Sequence, residues 1–201
     1  MIRIAEQKDA AVIGRIYCEG WKKGYDGLMP DFFLKALTHE NCAPKPNHIA
    51  PDRRFVAEVD GEVVGTVTFG KGREDSTLLE IQSLYVLPEH WQKGQGSALF
   101  RAVTDAAKAQ GYPGLYVWTL EGNARAKAFY ERMGMTPTGA AREFEIAGAY
   151  LPEVKYQLKW LNRTPPNTRR GFLILSADYR FCRVHSLHSL LLQGFSRSCS
   201  C

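Results

Sequence analysis

The chain has 201 residues, enough for one domain with a sizeable core and too few for two large domains. Hydrophobic residues make up 45% and charged residues 23% of the sequence, values that exclude a disordered, collagen-like or disulfide-scaffold protein. No run reaches the ~18 apolar residues of a membrane span, and the N-terminus lacks the pattern of a signal peptide. We therefore expect a soluble, unsecreted protein.

The net charge of +5 is confined to the end of the chain. Residues 1–161 contain 20 Lys and Arg against 20 Asp and Glu, whereas residues 162–201 contain six Arg and one acid. A Pro-Pro pair with Asn, Thr and Gly marks the change. We predict a domain over 1–161 and a basic tail over 162–201 that is not an independent domain, either an arm for acidic partners or a dispensable extension. The neutral body disfavours a protein that binds nucleic acid.

Cysteine usage indicates the compartment. Three of the five cysteines are in the tail, and Cys18 and Cys42 in the body form neither a CxxC pair nor a Cys/His zinc spacing. A disulfide framework is absent from the pattern as well. We therefore expect a reducing cytoplasm and no metal.

Helical and alternating periodicities follow one another along 1–161 in the order βααβββαβαββ, which predicts a mixed α/β fold on one twisted sheet. Asp9 can cap the first helix, and Asp60-Gly61 is typical of a hairpin turn. The prolines in 41–52 predict a loop. The predicted elements are a strand over 2–5, a helix after Asp9, a helix over 30–39, strands over 54–60, 62–69 and 77–87, a helix over 96–109, a strand over 115–120, a helix over 123–133, and a closing strand pair over 142–147 and 153–161.

The residues that carry chemistry are concentrated between strand 77–87 and the following helix. Gly94 and Gly96 let a ligand approach the backbone, and the amides at the start of the helix point outward at the positive end of its dipole. This arrangement predicts a pyrophosphate cradle, the alternative being a plain turn. A dinucleotide fingerprint is excluded because Leu99 occupies the third glycine position, and a Walker loop because no Gly-Lys-Ser/Thr is present.

Two longer runs, EIQSLYVLPEHWQKGQGSALF (80–100) and YVWTLEGNARAKAFYERMGMTPTG (116–139), resemble motifs A and B of the GCN5-related N-acetyltransferase (GNAT) superfamily. With weaker likeness at both ends, the resemblance spans about 1–160. It implies the GNAT (acyl-CoA N-acyltransferase) fold, an α/β fold whose mixed central sheet is splayed between the fourth and fifth strands and flanked by helices. It also implies acetyl-CoA as co-substrate and direct attack by a primary amine of a small molecule or peptide. No nucleic acid, membrane or metal is expected, and a homodimer is compatible with it.

The resemblance assigns the acetyl-CoA site residue by residue. Gly94 and Gly96 match the glycines of the family's Gln/Arg-x-x-Gly-x-Gly/Ala signature, whereas Trp91 stands where Gln or Arg is usual. Leu84 and Tyr85 would lie along the pantetheine arm, and the Val86 amide would face the thioester oxygen and stabilise its developing charge. The residues expected to bind acetyl-CoA are Leu84, Tyr85, Val86, Gln92, Lys93, Gly94, Gln95, Gly96, Ser97, Asn123 and Tyr130.

Asn123 and Tyr130 are seven residues apart, close to two helical turns, so both side chains are expected on one helix face. The resemblance implies that Asn123 contacts pantetheine and that Tyr130 is the general acid that protonates the departing CoA thiolate. From the residues alone, Asn123 can instead be read as an N-cap, a role compatible with pantetheine binding, and Tyr130 as a core aromatic residue beside Phe129.

An amine acceptor must lose a proton, since a lysine-like amine has a pKa of about 10.4. Glu80 precedes Val86 by six residues, so strict alternation would place both on one strand face. This spacing matches the catalytic glutamate of the histone-acetylating branch of the family. An ordinary exposed strand Glu, with ordered water removing the proton, is the alternative. His90 is expected to be a solvated loop residue.

Trp21, Tyr25 and Asp26 lie in the region that borders the acceptor site in this family, and aromatic rings with an acid suit a cationic amine. Packing at the helix end explains the same residues. Glu143 and Glu145 add acidic character near the closing strands, on a face that the sequence does not fix. The sequence thus favours an N-acetyltransferase over a non-catalytic acetyl-CoA-binding module, and both over a basic-tailed partner-binding protein.

Overall fold

A computed structural model describes residues 1–49 and 52–160, so the predicted tail lies outside the described residues. One seven-stranded sheet runs in the order β1-β2-β3-β4-β5-β7-β6. The strands are β1 (Ile2–Ile4), β2 (Arg54–Val59), β3 (Glu62–Lys71), β4 (Leu79–Val86), β5 (Gly114–Leu120), β6 (Thr136–Ile146) and β7 (Ala149–Lys159). The helices are α1 (Ala10–Gly24), α2 (Asp31–Ala36), α3 (His39–Cys42), α4 (Gln95–Ala109) and α5 (Ala124–Arg132). The predicted mixed α/β class is confirmed, with β4 and β5 parallel and the other pairs antiparallel.

The two main helices pack on opposite faces of the sheet. A Cβ built at Gly65 of β3 would lie nearest to the side chains of Val86, in β4, and of Leu99, in α4. Gly20 of α1, by contrast, lies against the ring of Tyr85. Because successive strand residues point to opposite faces, Tyr85 faces α1 and Val86 faces α4. No helix of the described ranges is both long and apolar enough to cross a membrane.

The region between α1 and β2 differs from the sequence prediction. The predicted helix over 30–39 ends at Ala36, and a one-turn helix over His39–Cys42 follows, across the boundary between that predicted helix and the predicted loop over 41–52. Thr38 starts this helix, because its Oγ1 accepts from the Asn41 amide at 3.1 Å while Asn41 Oδ1 accepts from the Thr38 amide at 2.9 Å. This reciprocal cap is a local signal in the sequence that outweighs the neighbouring prolines.

The closing strand pair is longer than predicted, because β6 and β7 each extend over 11 residues. Pro137 lies in β6, an edge strand of the sheet, where proline is tolerated because one side of the strand has no partner among the described strands. A register shift between Pro137 and Ala141 absorbs the irregularity. Edge position thus allows a proline that a sequence pattern treats as a strand breaker.

Asp9 stands at the N-cap of α1 as predicted, but its side chain makes no capping hydrogen bond. Both carboxylate oxygens instead accept from the Arg3 guanidinium, at 2.7 and 2.9 Å. This pairing, opposed by burial, lowers the pKa of Asp9. Asp9 therefore ties β1 to the start of α1 instead of capping the helix.

Candidate active site

The sheet opens between β4 and β5. The two strands pair only over three positions, from Leu79 opposite Leu115 to Ile81 opposite Val117. Beyond Ile81, β5 continues beside β7 while β4 continues beside β3, so the second half of β4 pairs with no described strand on its β5 side. The predicted splay between the fourth and fifth strands is therefore confirmed, and it leaves a wedge between them.

Val86 presents its main-chain groups to this wedge. The amide of Leu87 donates to the Val64 carbonyl of β3 at 2.8 Å. Since backbone amides alternate sides along a strand, the neighbouring Val86 N–H points away from β3 and toward the wedge. The Val86 carbonyl, on the same side, accepts from the Trp91 indole Nε1 at 2.7 Å. The residue predicted to face the thioester oxygen thus has its N–H directed into the opening.

The start of α4 supplies a second group of main-chain donors. Gly94 is its N-cap, with a φ of 90°, and Gln92 also has a positive φ, of 61°. The first intrahelical acceptor is the Gly94 carbonyl, which takes the Ala98 amide at 2.9 Å. The amides of Gln95, Gly96 and Ser97 therefore have no acceptor within the helix, as at any helix start. Three N–H groups at the positive end of a 15-residue helix suit a pyrophosphate, so the loop fits the group that the sequence predicts.

Gly96 also fits a close approach. A Cβ built there would lie 3.4 Å from the ring of Phe129 and 3.8 Å from Leu84. The side chains of α5 and β4 therefore close around this turn, and the absent Cβ keeps the backbone accessible. We call the set of Val86, Gly94, Gln95, Gly96 and Ser97 main-chain groups the donor side.

Trp91 and Arg125 form a contact that the sequence reading missed. The Arg125 guanidinium carbon lies 3.4 Å from the centroid of a Trp91 ring, and an Nη atom of Arg125 lies beside Gly24 at the end of α1. Within the described ranges Arg125 has neither a salt bridge nor a hydrogen bond, and partial burial lowers its pKa, an effect that Tyr25 opposes. A cation therefore stands above the position where the family signature usually carries Gln or Arg. Because this contact joins α5 to a loop that is distant in the sequence, no local sequence pattern predicts it.

Tyr130 lies on α5, with 7% of its surface exposed. Its ring packs edge-on against Phe129, with centroids 5.3 Å apart, and is tilted against Tyr156 at 6.3 Å. Burial, and to a smaller extent Tyr25, raises the pKa of Tyr130 above its usual range. The hydroxyl makes no hydrogen bond to another described residue, so it is free to donate to a ligand.

Asn123 is the N-cap of α5, and its Oδ1 accepts from the Ala126 amide at 3.0 Å. The capping interpretation is therefore confirmed. Because the cap engages only Oδ1, a contact between the amide nitrogen and pantetheine stays a prediction.

On the other face of β4, the side chains are aromatic. Tyr25 and Tyr85 join their hydroxyls at 3.0 Å, and burial raises the pKa of both. Trp21 lies edge-on to Tyr25, with centroids 5.4 Å apart, and Tyr17 lies edge-on to Tyr85 at 5.3 Å. We call Tyr17, Trp21, Tyr25 and Tyr85 the acceptor side.

Asp26, the acid predicted to join this group, is not part of it. Asp26 lies in the exposed turn after α1 and makes no hydrogen bond or salt bridge to a described residue. Glu143 and Glu145 on β6 are exposed as well. The structure therefore brings Trp21 and Tyr25 together and leaves the acids outside.

The expectation that Glu80 and Val86 share a strand face is wrong. The register with β3 shifts from Thr68 opposite Ser83 to Phe69 opposite Ile81, so Gln82 is an extra residue on β4. A bulge of this kind reverses the alternation of side chains beyond it. Val86 therefore faces α4, whereas Glu80 is on the α1 face of the sheet.

Glu80 is held by a network of its own. It is 2% exposed and accepts four hydrogen bonds, from the Arg73 amide, from two Arg73 guanidinium nitrogens and from the Tyr116 hydroxyl at 3.0 Å. Burial alone would raise the pKa of Glu80, but the hydrogen bonds and charge of Arg73 outweigh it and lower the pKa. Such a carboxylate is a weaker base than an ordinary glutamate. These contacts therefore disfavour the predicted role of Glu80 in removing the proton of the amine, and that role stays a prediction.

Comparisons with known proteins agree with the geometry. Residues 16–135 match the family model described as acetyltransferase (GNAT) family. The chain is 28% identical over 157 residues to the uncharacterized N-acetyltransferase YuaI of Bacillus subtilis, covering 76% of this chain and 89% of that protein.

Two solved structures share the fold. The acetyltransferase yncA of Salmonella typhimurium, solved with acetyl-CoA, is 23% identical with a TM-score of 0.62, and the match covers 83% of this chain and 97% of that one. The PaiA N-acetyltransferase of Thermoplasma acidophilum, solved with coenzyme A, is 16% identical with a TM-score of 0.60, covering 80% and 98% of the two chains. Since the family model covers more than half of the sequence, the chain belongs to the acetyltransferase (GNAT) family of acetyl-CoA-dependent N-acetyltransferases.

Proposed function

We propose that the protein transfers the acetyl group of acetyl-CoA to a primary amine of a small molecule or peptide by direct attack. The observation that carries this proposal is the Val86 N–H directed into the wedge, with the start of α4 packed against Leu84 and Phe129 and the Tyr130 ring packed against Phe129. When bound, acetyl-CoA supplies an activated thioester. The residues of this chain would hold it, polarise it and protonate the leaving group.

Each residue then has one task. The amides of Gln95, Gly96 and Ser97 would bind the pyrophosphate, and Gln92 and Lys93 would line the same turn. The Val86 N–H would donate to the thioester oxygen as negative charge develops there. The Tyr130 hydroxyl, kept protonated by its raised pKa, would donate its proton to the sulfur as the C–S bond breaks.

The amine must arrive from the other side of β4, where Tyr17, Trp21, Tyr25 and Tyr85 form the acceptor side. Aromatic faces attract a cationic ammonium group and also pack against apolar groups attached to it. Ordered water is the favoured route for the amine proton, because Arg73 and Tyr116 already occupy the Glu80 carboxylate.

Three wider statements belong to the same proposal. We assign the reaction to the cytoplasm, because Cys18 and Cys42 are both free thiols. We assign residues 1–161 to the catalytic domain and treat 162–201 as a tail. Homodimerisation stays a prediction.

The test is a calorimetric titration with acetyl-CoA, followed by an assay for free CoA thiol with a panel of primary amines. We expect saturable binding and thiol release that depends on an amine. Binding without thiol release for any amine would favour the alternative, a non-catalytic acetyl-CoA-binding module. Absence of binding would overturn both.

A further inference from the structure

Three side chains of metal-ligand type meet outside the wedge, where α1 packs against α3. The Cys18 thiol, a carboxylate oxygen of Glu19 and a ring nitrogen of His39 all lie within 4.8 Å of one another. His39 Nε2 is 2.8 Å from Glu19 Oε1. None of these three residues has a part in the acetyl transfer proposed above.

The two helices approach closely enough to build this cluster because α1 has a glycine at the contact. A Cβ at Gly14 would lie 2.3 Å from the His39 carbonyl oxygen and 2.7 Å from the Ala43 Cβ. No larger residue fits there without moving α3 away from α1. The fold therefore holds His39 against the Cys18 and Glu19 turn of α1, a juxtaposition that sequence spacing does not reveal.

We propose that Cys18, Glu19 and His39 bind a divalent transition-metal ion, with zinc as the best match. A thiolate, an imidazole and a carboxylate are all zinc ligands, whereas magnesium and calcium prefer oxygen alone. One thiolate and one carboxylate neutralise the charge of a divalent ion while the imidazole stays neutral. The site departs from the sequence expectation of no metal, and it does not depend on the proposed acetyl transfer.

The surroundings leave both a route in and a fourth position. Cys18 is fully buried, but the side chains of Glu19 and His39 are 40% and 53% exposed, so an ion can reach the thiol between them. Zinc in proteins usually has four ligands. The half-buried thiol of Cys42, at the end of α3, packs in the same cluster as Cys18 and would compete with water for that position.

A metal ion bound by these three residues would cross-link α1 to α3. Trp21 is on the next turn of α1 and Tyr25 is the C-cap of the helix, so the metal would stabilise the acceptor side without contacting the donor side. We therefore expect zinc to raise the melting temperature by mass action and to leave acetyl-CoA affinity unchanged.

The experiment is a cobalt titration of chelator-treated protein, kept reduced with a phosphine. Cys182, Cys199 and Cys201 are changed to serine throughout, so that the body thiols alone are observed. We expect one cobalt per chain, a thiolate-to-cobalt charge-transfer band, and loss of that band when zinc is added. Cys18→Ser should abolish the band, whereas Cys42→Ser should keep it, at lower intensity if Cys42 is the fourth ligand.

Because Cys18 is buried, its variant alone would not separate lost ligation from lost folding. Glu19→Gln and His39→Gln change exposed side chains, and each should weaken zinc binding at least about 10-fold with the apo melting temperature little changed. His48→Gln, an exposed histidine outside the cluster, is the matched control and should bind zinc normally. Absence of the cobalt band, or a band that persists in the Cys18→Ser and His39→Gln variants, would overturn the site whether or not the protein transfers acetyl groups.

Discussion

Strand β4 separates two halves of the site that are built from different parts of the chain. The donor side, on the α4 face and along the wedge, consists of main-chain amides and glycines. The acceptor side, on the α1 face, consists of aromatic side chains from α1 and β4. Backbone donors depend on local conformation, which the spacing of glycines reveals, whereas side chains that meet across two elements depend on tertiary packing. One half can therefore be predicted as a motif, and the other only by resemblance.

The largest expected effect concerns Tyr130, the proposed general acid beside the donor side. Tyr130→Phe should lower kcat by about 10²–10⁴-fold and leave the affinity for acetyl-CoA unchanged, because the lost proton matters only as the thiolate leaves. Tyr156→Phe is the control, since it removes a hydroxyl that donates to Glu131 at 2.9 Å from a ring packed against Tyr130. Steady-state kinetics with calorimetry checks both, and an unchanged kcat for Tyr130→Phe would make Tyr130 a core residue.

The next effect tests whether the donor side is truly made of backbone. Gly94→Ala and Gly111→Ala both place a Cβ in open space at a positive φ, 90° and 80°, at opposite ends of α4. Each should therefore lose about 1–2 kcal/mol of stability, since a left-handed backbone costs any L-residue that amount. Only Gly94→Ala should also weaken acetyl-CoA binding, by about 10-fold, which corresponds to ~1.4 kcal/mol. Equal binding by the two variants would contradict the cradle.

Glu80→Gln separates a structural role from a catalytic one. Breaking a buried ion pair costs about 3–5 kcal/mol, and we expect about 2 kcal/mol here because Arg73 is half exposed. Since the folded-state pKa of Glu80 is below its ordinary 4.5, this stability is present above that pH and disappears as the pH falls through the folded value. Denaturant unfolding of the wild type and the variant should thus differ at pH 7, and the difference should shrink as the pH falls below 4.5 through the folded-state pKa of Glu80.

The same variant decides the route of the amine proton. If ordered water is the base, the rate per folded molecule should match the wild type at every pH. A rate that falls at neutral pH and recovers as the pH rises would instead restore Glu80 as the general base. Glu74→Gln, which changes a more exposed acid bound to Arg142 at 2.8 Å, is the matched control and should cost less than about 1 kcal/mol.

The smallest expected effect concerns Arg125, which reaches the donor side from α5. Arg125→Ala should weaken acetyl-CoA binding about 3-fold at low salt, and less at high salt, because the interaction of an exposed cation with phosphates is screened. Arg132→Ala, an exposed arginine in the last turn of the same helix, should bind normally. Titrations at two ionic strengths check this prediction, which fails if both variants behave alike.

Most of the fold could be predicted because its elements have strong local signals. The Asp60-Gly61 turn joins β2 and β3 as expected, and α4 begins within one residue of its predicted start. The errors occur where a second element decides the outcome. The extra residue Gln82 is visible only when β4 is aligned against β3, and the edge position that accommodates Pro137 is visible only in the assembled sheet.

The site divides in the same way. Gly94 and Gly96 are predicted from a local pattern and the resemblance, whereas the partners of Glu80 have no local signal, because Tyr116 is on another strand. Arg125 over Trp91 and His39 beside Cys18 are contacts between separate elements as well. Local chemistry predicts which groups are present, and packing decides which of them meet.

The position of Trp91 gives the protein a built-in optical reporter. Its indole is fixed at one end by the Val86 carbonyl and covered by the Arg125 guanidinium, so its emission depends on both groups at once. A ligand that draws Arg125 toward its phosphates would uncover the ring and change the fluorescence intensity without any added label. The other tryptophans are at positions 21, 118 and 160, and a Trp91→Phe variant would isolate their background. We therefore expect the intrinsic fluorescence of Trp91 to report acetyl-CoA binding at the donor side.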